Sequence, residues 1–328
     1  MMSQGNRQNA NVLPGQIKRG DDIIGDGPYP HDFTQFVGQN TARMQILTAI
    51  TAAAKRGEAL PHMLLASGQP GIGKTSLGKL TAHTLKVGYA ELGGVVTAEK
   101  ARPVLEAMQD RDVLFLDEIH RMVASGKKNA EWLLQLLQDG VLVLPGGTVE
   151  IPKITVIGAT TDAQLLPETI VDRFPIQPIL EPYTVEEAVQ IAHVTASRLR
   201  MTLAEPQYHR IAAAADYNPR VMGRLLATVR DIQDADPTCA DPVARAQHWT
   251  GFSDDGLTRL AQDYLMLLYG YGGVASLPTM LAVLGESVLK HTERDLVQRG
   301  FITVTNRGRE LTGLGRERAA KLMDEKED

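Results

Sequence analysis

Gly68-Gln69-Pro70-Gly71-Ile72-Gly73-Lys74-Thr75 is the stretch that decides the fold. It satisfies the pattern G-x-x-x-x-G-K-[ST], whose glycines let consecutive backbone N–H groups turn inward on phosphate oxygens. The apolar run His62-Met63-Leu64-Leu65-Ala66-Ser67 precedes it, and a helical segment from Lys74 to about Lys86 follows. Strand, glycine loop and helix in that order bring a helix N-terminus and its dipole to the phosphates. The pattern predicts a site for ATP and Mg2+ built on Gly71, Ile72, Gly73, Lys74, Thr75 and Ser76. Lys74 would pair with the β/γ-phosphates, and Thr75 would offer its hydroxyl to the metal.

Two more apolar runs end on polar residues. Val113-Leu114-Phe115-Leu116 runs into Asp117-Glu118, and Ile154-Thr155-Val156-Ile157-Gly158-Ala159 runs into Thr160-Thr161. Ligands of open parallel sheets sit beyond the carboxyl ends of the strands, so these ends are expected to share one crevice. Hydrolysis needs a carboxylate near Mg2+ and a second acid to orient or deprotonate water. Asp117 is therefore assigned to metal and Glu118 to water. Thr160 is a candidate for bonding the γ-phosphate or the lytic water. Arg173, in Val171-Asp172-Arg173-Phe174, is a candidate finger for a neighbouring subunit's nucleotide, and Arg220 opens a helix after Asn218-Pro219. His120 and Arg121 are expected to be exposed helix residues.

The rest of the chain fits around this core. Its 328 residues predict two or three domains, and 43% hydrophobic with 22% charged residues is ordinary for a globular protein. Thirty-four basic against 39 acidic residues give a net charge of −5, so any nucleic-acid contact must be local. The longest apolar runs, such as Tyr264 to Tyr269, are far below the roughly 18 residues of a membrane span. Cys239 is alone, excluding an intrachain disulfide, and the start is polar; both features predict a cytoplasmic protein. Residues 1–30 read as a flexible tail.

Residues 40–56 have helical character, with Gly57 as a stop. Asn129 to Gln138 reads as an amphipathic helix, and residues 141–151 as a hairpin around Gly146-Gly147. Thr184-Val185-Glu186-Glu187 is a capping-box pattern opening a helix to about Arg200. Further helices are expected near 206–216 and 219–233, and 234–242 reads as a connector. A third segment begins near Trp249, where helices precede β-branched residues around a basic turn at 300–309, the pattern of a winged helix.

Together these stretches resemble the AAA+ ATPases and, more narrowly, the RuvB family of branch-migration motors. The resemblance rests on Phe36-Val37-Gly38-Gln39, the phosphate loop, Leu116-Asp117-Glu118-Ile119-His120-Arg121, Ile157-Gly158-Ala159-Thr160-Thr161 and Asp172-Arg173-Phe174. It continues through Pro219-Arg220 and through Gln298-Arg299-Gly300-Phe301 with Asn306-Arg307-Gly308-Arg309. It implies an α/β fold: an AAA+ P-loop core with a parallel sheet at 31–178, a helical lid at 179–245 and a winged-helix DNA-binding domain at 246–322. It implies that Phe36, Val37 and Tyr183 lie near the nucleotide, with Thr160 as first sensor, Arg220 as second sensor and Arg173 as the finger acting in trans. Arg307 and Arg309 would contact DNA from the wing. The implied activity is ATP-driven movement of duplex or four-way-junction DNA by a hexameric homo-oligomer with no membrane attachment. A helicase loader or protein-remodelling ATPase is the alternative.

Several positions depart from the family pattern. Val171 and Val304 stand where arginines are common, Tyr29-Pro30 replaces Arg-Pro, and the 141–151 hairpin is short. That hairpin docks RuvA in RuvB, so its shortness puts dependence on a RuvA-like partner in doubt.

Overall fold

The computed structural model describes residues 17–25, 30–253, 255–284, 292–293, 295–306 and 308–327. The chain divides into two compact units. The first ends at Ile191 and takes in Asn218–Arg220; the second comprises Ala192–Tyr217 and the chain from Val221 onward.

In the first unit α1 (Asn40–Arg56) precedes β1 (Met63–Ser67), α2 (Lys74–Leu85), β2 (Tyr89–Gly93), α3 (Ala98–Ala107) and β3 (Val113–Asp117). Then come α4 (Ile119–Ala124), α5 (Lys127–Asp139), the hairpin β4 (Val141–Leu144) and β5 (Gly147–Glu150), and β6 (Thr155–Thr160). The short α6 (Glu168–Val171), β7 (Ile179–Leu180) and the first half of α7 (Val185–Arg198) follow. The five-stranded sheet runs in the order β2-β3-β6-β1-β7 with every pair parallel. Strands covered on both faces read as unbroken apolar runs, which is why β1, β3 and β6 are legible in the sequence. β2 is harder to see because exposed Glu91 interrupts it at the sheet edge.

Local chemistry sets the helix ends. Gly57 closes α1 in the left-handed region at φ 69°. The Thr184 capping box is reciprocal: Glu187 N–H donates to Thr184 Oγ1 at 3.2 Å, and Thr184 N–H donates to Glu187 Oε2 at 3.0 Å.

The tail expected over residues 1–30 is corrected at 17–25. Lys18 exchanges both backbone hydrogen bonds with Tyr89, each 2.9 Å, and so extends the edge at β2. Arg19 donates through Nη1 and Nη2 to the two oxygens of Asp112 at 3.1 and 2.8 Å. Asp112 is buried and also accepts from the N–H groups of Gly88 and Gln109. Residues 20–23 form a short 3-10 turn that buries Ile23, and Ile24 is buried after it. Polar composition hides this docking because its anchor, Asp112, lies far along the chain.

The second unit contains α8 (Glu205–Ala214), most of α9 (Pro219–Ala235), α10 (Pro242–Thr250), α11 (Arg259–Gly270), β8 (Val274–Ala275) and α12 (Leu277–Leu284). It ends with β9 (Ile302–Thr305), β10 (Gly308–Leu311) and α13 (Gly313–Glu327). The strands form an antiparallel sheet ordered β8-β10-β9. Tyr264, Leu265 and Leu268 of α11 pack with Phe301, Ile302 and Leu311 in one core. This is the expected winged helix with a short third strand, β8, added.

One of the expected domain limits falls just before an element and another inside one. The 178/179 limit would detach β7, which pairs with β1 in the main sheet, and the 245/246 limit would cut α10. Among the described residues, no helix is long and apolar enough to cross a membrane.

Removing one partner of a buried ion pair costs about 3–5 kcal/mol when the remaining charge is stranded. Arg19→Ala strands Asp112 only in part, because its two backbone donors remain. Urea unfolding should therefore show Arg19→Ala destabilising the chain by about 1–3 kcal/mol. A melt unchanged by Arg19→Ala would mean that the segment is not held by this pair.

Candidate nucleotide site and the wing

The phosphate loop leaves β1 at Ser67 and closes on its own lysine. Lys74 Nζ donates to Ser67 Oγ at 2.6 Å and to the Gln69 carbonyl at 3.4 Å, and Ser67 Oγ donates to the same carbonyl at 2.6 Å. Gly71 and Gly73 have φ of +83° and +109°, a region open to glycine. They also lack room: a Cβ on Gly71 would lie 2.6 Å from Asn218 Oδ1, and one on Gly73 would lie 2.8 Å from Phe36 Cζ. Tyr183 donates its hydroxyl to the Ile72 carbonyl at 2.9 Å, and Asn218 Nδ2 donates to the Pro70 carbonyl at 2.8 Å. Phe36, Tyr183 and the Asn218–Arg220 turn thus surround the loop. Val37 is half-buried beside Phe36, and half-buried Thr75 and Ser76 lie in the first turn of α2.

Sheet register supplies the polar groups. Ala66 pairs with Thr160 and Leu116 with Gly158, so Ser67, Asp117 and Thr160 end three adjacent strands. After Asp117 the chain turns sharply at Glu118, whose φ of 52° is unusual outside glycine, and enters α4. Burial first, and the Glu118 charge second, raise the Asp117 carboxyl above its usual range; Lys74, the Glu118 N–H and Arg220 oppose the shift. Burial also pushes the Lys74 ammonium down, opposed by Glu118 and Asp117. Both charged forms are thus poorly solvated.

His120 is corrected. It is buried, with Nδ1 2.9 Å from Thr160 Oγ1 and 3.3 Å from Glu118 Oε2. Thr161 Oγ1 donates to Glu118 Oε2 at 3.1 Å, and Asp162 N–H donates to Thr160 Oγ1 at 3.0 Å. His120, Thr161 and Asp162 are the site residues that sequence reasoning missed. The available signal was the run Thr160-Thr161-Asp162 at a strand end: two hydroxyls and a carboxylate facing an acid–histidine helix start.

Arg173 is exposed, and its Nη2 donates to Gln138 Oε1 of α5 at 3.1 Å. In the second unit Arg309, expected to contact DNA, has a partner within the chain. From the central strand β10 its guanidinium forms a bidentate pair with Glu293, and both side chains are mostly buried, 16% and 14% exposed. The Tyr264 hydroxyl donates to the same carboxylate at 3.3 Å. Burial first, and the Glu293 charge second, hold the Tyr264 phenol above its usual value. In this arrangement Arg309 braces the winged helix, and a contact to DNA phosphate would have to compete with Glu293. Arg307 lies outside the described residues.

The loop and the wing each yield a prediction. Gly71→Ala sets a strain of about 1–3 kcal/mol against the loop. Equilibrium nucleotide binding should weaken by roughly 5- to 150-fold; unchanged affinity would mean that the loop does not hold phosphate in this conformation. Arg309→Ala strands Glu293 and should cost about 3–5 kcal/mol, lowering the melting temperature. An unshifted melt together with lost DNA binding would restore Arg309 to a contact role.

The comparisons with known proteins agree with this architecture. A family model for the Holliday junction DNA helicase RuvB P-loop domain matches residues 29–180, and one for the RuvB C-terminal winged helix domain matches residues 254–318. The chain is similar to the Thermotoga maritima RuvB Holliday junction branch migration motor, at 30% identity and TM-score 0.75, covering 88% of this chain and 97% of that one. A point mutant of the same Thermotoga maritima protein superposes with TM-score 0.76 at 30% identity over the same shares. The FIGL-1 AAA domain in complex with ADP, at 21% identity and TM-score 0.51 over 73% of this chain and 88% of that one, shares the fold. Matched by both RuvB family models and by a RuvB structure at 30% identity over 88% of its length, the chain belongs to the RuvB family of AAA+ ATPases.

Proposed function

We propose that this protein hydrolyses ATP to drive duplex DNA through four-way junctions. The observation that carries the proposal is that Ser67, bonded to Lys74, and Asp117 and Thr160 end three adjacent strands, with Glu118 next to Asp117, in a chain that also holds a winged helix. Lys74 neutralises the β/γ-phosphates, and the N–H groups of the loop cradle them. The Thr75 hydroxyl and the Asp117 carboxylate form an all-oxygen donor set with few protein ligands, which suits Mg2+ shared with phosphates and water. Asp117 fits that part because a cation beside it would relieve the burial that raises its pKa. Mg2+ would supply charge neutralisation along the β- and γ-oxygens.

Glu118 orients and deprotonates the attacking water, and Thr160 bonds the γ-phosphate or that water. Phe36, Val37 and Tyr183 line the nucleotide side of the loop, and Arg220 reports its occupancy from the Asn218–Arg220 turn. Arg173 stabilises the transition state in a neighbouring subunit of a hexameric ring; its exposure on the first unit supports that part. Arg307, between β9 and β10 in the sequence, is the wing residue proposed for DNA phosphate. A cytoplasmic location fits a protein acting on DNA.

Steady-state ATPase rates with no DNA, duplex and a four-way junction test the proposal. The junction should stimulate hydrolysis, and Glu118→Gln should lower kcat by about 100-fold or more while nucleotide still binds. Undiminished hydrolysis in that variant would remove Glu118 from the mechanism. Stimulation without displacement of a junction arm would favour a loader over a motor.

A further inference from the structure

We propose that His120 is a positioning residue of the hydrolytic site, whose Nδ1–H joins the Thr160 hydroxyl to the Glu118 carboxylate so that contact at one sets the aim of the other. This deepens the proposed ATPase mechanism and rests on it. Nδ1 lies 2.9 Å from Thr160 Oγ1 and 3.3 Å from Glu118 Oε2. A carboxylate only accepts, so a lone pair on Nδ1 would face another lone pair. We place the proton on Nδ1, where it serves both neighbours; on Nε2 it would leave the Thr160 hydroxyl donating to Nδ1 and set the Nδ1 lone pair against Glu118.

Thr160 Oγ1 then accepts twice, from His120 Nδ1–H and from the Asp162 N–H at 3.0 Å, which uses both its lone pairs. Its own proton is left to donate outward, as a contact to phosphate or to water requires. Glu118 Oε2 accepts from Thr161 Oγ1–H at 3.1 Å and lies 3.3 Å from His120 Nδ1. Among the described residues Oε1 takes no part in this network. One imidazole, buried at the start of α4, thus fixes the polarity of the Thr160 hydroxyl and the rotamer of Glu118. Movement of Thr160 toward a phosphate shifts the ring, and the ring carries Glu118 with it. Asp162 closes the far side, its Oδ2 3.9 Å from His120 Nε2.

The test compares His120→Asn, whose amide nitrogen can stand near Nδ1, with His120→Gln, which reaches toward Nε2 instead. ATP Kd, kcat, KM and the thermal melt are measured on the full-length protein. ATP Kd should stay at the wild-type value in both variants. In His120→Gln kcat should fall by about 10- to 100-fold, the scale of a misplaced catalytic group. His120→Asn should retain more kcat than His120→Gln, and adding His120→Gln to Thr160→Val should cost little beyond Thr160→Val alone. Wild-type kcat in His120→Gln, equal losses in both variants, or losses that multiply in the double variant would overturn the proposal. So would weakened ATP binding in both variants, which would make His120 a core residue. Failure of the underlying mechanism looks different: the wild-type protein would lack ATPase activity, or Glu118→Gln would keep it.

Discussion

Ala66 opposite Thr160 and Leu116 opposite Gly158 are the register on which the nucleotide site depends. Three neighbouring parallel strands end on polar residues, so Ser67, Asp117 and Thr160 come to the same end of the sheet without any long loop to position them. A one-residue slip of a strand in a sheet buried on both faces would turn these groups to the other side. Tight packing prevents that slip. Leu64, Leu114, Leu116 and Val156 lie in one core, and α4 anchors there through Ile119 and Met122.

That rigidity allows the site to hold unfavourable charge. Burial works against both the Lys74 ammonium and the Asp117 carboxylate, and each is stabilised by the other and by its neighbours. A polyanion accompanied by a cation supplies what both groups lack: phosphate oxygens for the lysine and a metal for the carboxylate. The left-handed turn at Glu118 belongs to the same economy. Its φ of 52° is the sort of strain that a packed scaffold sustains at a functional position.

The parts of this arrangement legible in the sequence are those with a local signature. The phosphate loop, three apolar runs ending on polar residues and the Thr184 capping box each state their structure within eight residues or fewer. What escapes is long-range. Nothing near Arg19 announces Asp112, 93 positions away, so a polar stretch reads as a tail. His120 looks like a surface helix residue until the turn at Glu118 sends it inward against Thr160, 40 positions on. Arg309 looks like a free wing charge because Glu293, its partner, lies outside the hairpin. β7 escapes for a similar reason, since a two-residue strand has too little sequence to reveal its pairing with β1.

The central claim is that these strand ends meet the triphosphate and its water together. A crystal structure with Mg2+ and a non-hydrolysable ATP analogue tests it most directly. The account predicts the γ-phosphate, or a water in line with it, about 3 Å from Thr160 Oγ1, with Glu118 Oε1 facing that water. A triphosphate seated on the loop but with Thr160 and Glu118 both turned away from it would contradict the account.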